Sequence, residues 1–114
     1  MFARMTFALL IFLPLPSLAD APLVERTEIS EGRISVTLSH PDTGWDHYAD
    51  GWEVFTPDGT SLGRRELAHP HVNEQPFTRS LGNVVVPEGV TELHIRVRCN
   101  VDGWADQMFI LPLQ

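Results

Sequence analysis

Lysine does not occur anywhere in the 114 residues, and cysteine occurs once. Without lysine, the 8 basic residues are all arginines, set against 15 acids for a formal net charge of −7. No arginine group outweighs its acidic neighbours, so the basic footprint that displaces counterions from nucleic acid is missing. Anionic membrane surfaces are poor partners for the same reason, whereas cations, small ligands such as sugars, and other proteins remain open. The lone Cys99 excludes an intramolecular disulfide, so packing or a bound group must hold the fold.

Long apolar runs are also lacking, which argues against a membrane-spanning helix. The best candidate, TFALLIFLPLP at 6–16, is too short, and two prolines end it. With Arg4 before it and the small-x-small sequence SLA ending at Ala19 after it, the stretch reads as a secretory signal peptide over residues 1–19. Cleavage after Ala21 is the alternative. No cysteine follows the small residues as a lipid anchor requires. The expected product, residues 20–114, is a single exported domain, periplasmic or secreted, with no membrane insertion after cleavage and a modest core.

What is present is alternation. Ile34, Val36 and Leu38 alternate with Arg33, Ser35 and Thr37, and Leu93, Ile95, Val97 and Cys99 alternate with His94, Arg96 and Arg98. A two-residue repeat with one apolar side is the mark of a half-buried antiparallel strand. Further strand-like runs cover 23–30, 52–55, 60–67, 77–86 and 107–113, punctuated by Glu31-Gly32, Pro57-Asp58-Gly59 and Pro87-Glu88-Gly89. No helical periodicity competes. The expected class is all-β: an antiparallel immunoglobulin/fibronectin-like β-sandwich of about seven strands, with Trp52 on the third strand as the buried tryptophan common there. The alternation places Cys99 inward as a packed thiol and lets His40 continue the register of Ile34, Val36 and Leu38.

Antiparallel neighbours reverse direction at every turn, so alternate connections return to the same end. The loops at 40–51, 69–76 and 100–106 are thereby expected at one pole, and the compact turns at the other. The rich pole collects His40, His47, His69 and His71 with Asp42, Asp46, Asp50, Glu74, Asp102 and Asp106, and three aromatics, Trp45, Tyr48 and Trp104. Loops at one end of a rigid scaffold commonly carry binding residues.

Imidazole and carboxylate together suit Zn(II) or Cu(II), at ligand distances of about 2.0 to 2.2 Å. Pro70 restricts His69 and fixes its own φ, which partly sets the His69-Pro70-His71 geometry in advance. The expected ligands are His69, His71 and His47, completed by Glu74 or Asp102. Affinity for the ion should fall below about pH 6.5, where imidazole protonates. The alternative use of the pole is a carbohydrate-binding or protein-interaction surface, with Trp45, Tyr48 and Trp104 as flat platforms and Asp46 among the hydrogen-bonding groups.

Enzymatic readings are disfavoured. GTSLG at 59–63 matches the nucleophile-elbow pattern, but that motif needs a strand entering a helix, whereas here it crosses a hairpin turn. A cupredoxin is excluded because no histidine lies between Cys99 and Met108. The stretch HPHVNEQPFTRSL, followed by a P-x-G turn and HIRVRCNVDGW, resembles a group of small exported bacterial proteins of unassigned function over roughly residues 45–112. Related sequences often carry His-Gly-Trp or His-Gly-Tyr where this chain has Asp102-Gly103-Trp104. The resemblance implies export, and it implies that Asp102 stands where relatives offer an imidazole.

Overall fold

The computed structural model describes residues 21–113, so the leader expected over 1–19 lies outside the described residues. Those residues form eight strands and no helix. One sheet has the order β1-β2-β5, from Leu23–Ser30, Arg33–Ser39 and Phe77–Leu81. The second runs β4-β3-β6-β7, from Ser61–Glu66, Ala49–Phe55, Glu92–Cys99 and Gly103–Trp104, with β8 (Phe109–Pro112) also paired to β6. Every pairing is antiparallel.

The two-residue repeat decides what is buried. Ile34, Val36 and Leu38 of β2 are at most 1% exposed and meet Trp52, Val54, Leu93, Ile95 and Val97 of the other sheet in one apolar cluster. Cys99 ends the inward row of β6, fully buried, while His94, Arg96 and Arg98 alternate to the outer side. On the outer side of the first sheet, hydroxyl pairs cross the β2–β5 ladder, Ser35 to Ser80 and Thr37 to Thr78, each at 2.7 Å.

Several boundaries differ from those the pattern suggests. The third strand begins at Ala49, three residues before Trp52, because Ala49 pairs with Cys99 and Gly51 with Arg98. The fifth stops at Leu81 instead of running to 86: Asn83 takes φ 58, turning the chain, and Val84 N–H then donates to Gly32 O at 2.9 Å. The last expected strand is β8, opposite Glu92 to Ile95, and an eighth strand is added within the expected loop 100–106, where β7 pairs with Arg98 and Cys99 on the same edge of β6. Between β1 and β2, Glu31 (φ 50) and Gly32 (φ 77) form a two-residue turn with both φ positive, the geometry that suits strand twist.

The loops at 40–48, 67–76 and 100–102 do converge at one end. His71 N–H reaches Asp42 Oδ2 (2.8 Å), His40 N–H reaches Gln75 Oε1 (3.0 Å), and Tyr48 N–H reaches Asn100 Oδ1 (2.8 Å). Asn100 also donates through Nδ2 to Trp45 O at 3.0 Å. Each bond joins two different loops, so the pole is tied by polar contacts where the apolar cluster ends.

Trp52 is the largest fully buried side chain, and its indole N–H has no partner among the described residues. Trp52→Ala is expected to cost about 3–5 kcal/mol of stability in urea unfolding. Trp52→Phe should cost clearly less, because it keeps a ring and removes the orphaned donor.

Candidate metal centre

His40 lies one step beyond Leu38 on the inward side of β2, and Cys99 ends the inward row of β6. Facing sheets bring such terminal residues together. His40 is 3% exposed and Cys99 is fully buried. His47 joins them by a tight turn, in which Gly44 at φ 141 pairs with His47 and accepts its N–H at 3.2 Å. The potential ligand atoms of His40, His47 and Cys99 all lie within 4.8 Å of one another. The two imidazoles stand edge to face with centroids 4.7 Å apart.

Two further carboxylates frame this group. Asp102 N–H donates to Cys99 Sγ at 3.3 Å, and Asp102 Oδ2 lies 3.6 Å from the same sulfur. Asp42 Oδ1 takes His40 Nδ1 at 2.5 Å and Ala49 N–H at 3.0 Å. His47 Nε2 is buried and has no hydrogen-bond partner among the described residues. A buried ring nitrogen left unpaired is costly unless something fills its lone pair. Two imidazoles, a thiolate and a carboxylate are a donor set for a borderline transition metal. Around such an ion the donors sit roughly 3.3–3.8 Å apart for tetrahedral bonds near 2.0–2.3 Å, so modest side-chain movement would close the group.

The expected ligands divide between this cluster and a neighbouring one. His47 belongs to the cluster, and Asp102 borders it. His69, His71 and Glu74 form a separate group on the connection between β4 and β5. There the His71 ring stacks on Phe77 (3.9 Å, 10°) and Nε2 accepts from Arg79 Nη2 at 2.8 Å. The His69 ring is 4.6 Å from that of His71, and Glu74 pairs with Arg79 at 3.6 Å. Burial, then the positive charges of Arg79 and His69, hold the His71 pKa below the usual imidazole value. His71 Nδ1 is also buried without a partner among the described residues.

His40 and Cys99 were absent from the expected ligand set because the alternation counted them as core. The same alternation contains the signal that finds them: Cys99 is the last inward residue of β6, His40 is the residue just after β2 that continues its inward row, and both strands end at the same pole. Of the expected platform residues, Trp45 is 67% exposed and meets Tyr48 edge-on at 5.6 Å, with exposed Asp46 beside it. Trp104 is half-buried on the outer side of the second sheet, where the guanidiniums of Arg64, Arg98 and Arg96 lie 5.1, 5.2 and 5.9 Å from its ring centre.

No protein-family model matches the chain. Over 101 residues it is 43% identical to a protein of Halomicrobium mukohataei named "Putative lipoprotein"; the match covers 85% of this chain and 49% of that protein. The chain thus spans about half the length of the curated relative it matches. Its fold is similar to the crystal structure of hypothetical protein PH1083 from Pyrococcus horikoshii OT3, with a TM-score of 0.50, 18% identity, and coverage of 82% of this chain and 88% of that one.

The lowered pKa of His71 has a stability consequence of definite sign. The unfolded ring titrates near 6.5, above the folded one, so below that pH the unfolded state binds more protons. Stability from this group is complete above about pH 6.5 and is lost as pH falls through that value toward the folded pKa. Urea midpoints of wild type should therefore rise between pH 5 and 7, and His71→Gln should flatten that rise.

Proposed function

We propose that this chain is an exported binding protein that holds a divalent transition metal through His40, His47 and Cys99, with Asp102 as the fourth donor. The observation that carries the reading is the His47 Nε2 atom, buried and unpaired beside a second imidazole and a buried thiol. Two nitrogens, one sulfur and one oxygen suit Zn(II), and Cu(II) is the other ion that such a donor set favours. Asp102 is exposed and touches the sulfur, so it offers both a donor and a way in from solvent. Export is supported by the leader-like residues 1–19 and by the name of the relative, "Putative lipoprotein". An immunoglobulin-like arrangement fits the strand orders β1-β2-β5 and β4-β3-β6 that bring the ligand-bearing strand ends together. The solvent-exposed Trp45 beside Tyr48 supports a second reading, a glycan or protein surface on the same rim.

The test is metal uptake by the purified mature protein, using Zn(II) with elemental analysis and Co(II) as a spectroscopic probe. One equivalent per chain is expected, with a sulfur-to-cobalt charge-transfer band that vanishes in Cys99→Ser and affinity that drops at least tenfold in His47→Ala. Zn(II) in excess should also raise the unfolding free energy, by about 2.7 kcal/mol at a free concentration a hundredfold over Kd. No uptake by intact protein, or uptake unchanged in both variants, would remove the proposal.

A further inference from the structure

Asp42 is the one carboxylate that the polar contacts of this pole converge on. Its side chain is fully buried. Oδ1 accepts from His40 Nδ1 and from Ala49 N–H, and Oδ2 accepts from His71 N–H at 2.8 Å. Asp42 also accepts two backbone N–H groups, an arrangement that suits an Nδ1–H donor on His40, and the ring's metal-binding lone pair is then that of Nε2. A histidine ligand held in this way by an outer carboxylate has its tautomer and ring plane fixed before the ion arrives.

The second oxygen gives the arrangement a further property. His71 sits in the connection between β4 and β5 and is not one of the His40, His47 and Cys99 group, and its backbone is clamped again by Gln75 Nε2 on His71 O at 2.9 Å. Gln75 in turn receives His40 N–H through Oε1. The His69-Pro70-His71 loop is therefore bonded twice, through Asp42 and through Gln75, to the residue that presents a metal donor.

We infer that Asp42 is a positioning residue that sets the donor nitrogen of His40 and couples occupancy of the metal site to closure of the His69-Pro70-His71 loop. This rests on the metal reading above. A cation on His40 Nε2 polarises Nδ1–H, strengthens its bond to Asp42, and steadies the carboxylate that holds His71 N–H. By thermodynamic reciprocity, releasing the loop weakens the metal.

The experiment combines Zn(II) titration of wild type and Asp42→Asn with residue-resolved amide exchange on wild type, with and without Zn(II). Asparagine keeps the size but offers one acceptor where three donors converge, so Zn(II) should bind 10- to 100-fold more weakly. In wild type, Zn(II) should slow exchange of the His71 amide at least several-fold, and the apo protein should show the His40 imidazole proton on Nδ1. A merely structural role for Asp42 would shift unfolding alone and leave the response of the His71 amide to Zn(II) flat. Should Asp42→Asn not fold, the wild-type exchange and the imidazole proton decide the matter. Wild type that takes up no Zn(II) removes the metal reading and this inference together. Uptake by wild type with equal affinity in folded Asp42→Asn, or with no change at the His71 amide, overturns the role of Asp42 alone.

Discussion

A strand offers its side chains alternately to two sides, and in a two-sheet protein that rule leaves no choice about what meets in the middle. Along β2 and β6 the inward rows are apolar until their last members, His40 and Cys99. The register that packs Ile34, Val36 and Leu38 against Ile95 and Val97 therefore also drives an imidazole and a thiol into the end of the core. A shift of either strand by one residue would expose the whole apolar row and separate the pair. The candidate site is thus held in place by the same packing that stabilises the fold.

Burial of polar groups at that end has a cost, and the structure offsets it locally. Of the five buried polar or charged residues among the described ones, His40, Asp42 and His71 lie at the pole. Asp42 accepts three bonds there, and Asn100 bridges the neighbouring loop with backbone-directed contacts. Among the described residues of this pole, what stays unmatched is narrow: one ring nitrogen each on His47 and His71. Unmatched lone pairs or protons inside a network that is otherwise satisfied are where a ligand, or a water, is worth most.

Most of the architecture was legible in the residues. Alternation identified the inward rows of β2 and β6, the likeness to sandwich folds pointed to the burial of Trp52, and chain reversal alone brought three loops to one end. Strand limits were harder, because local pattern does not register that Asn83 turns the backbone or that Ala49 finds a partner in Cys99 across a ladder. The site was half legible. His47 and Asp102 stood out as polar loop residues, whereas His40 and Cys99 sat in apolar register and looked like core. A motif such as His69-Pro70-His71 attracts attention by spacing, yet Phe77 and Arg79 take up the ring of His71, and nothing in the spacing foretells those neighbours.

The gap between β7 (Gly103–Trp104) and β8 (Phe109–Pro112) bears on how the molecule behaves at high concentration. An uninterrupted edge beside β6 would present a long row of unpaired amides and carbonyls, an invitation for another polypeptide to zip on. Here the row breaks at residues 105–108, and the opposite edge of the same sheet bears Arg64, Arg65 and Glu66. On this sheet a foreign strand finds only short, charged or discontinuous footing, which disfavours edge-to-edge stacking there without any cystine to lock the fold.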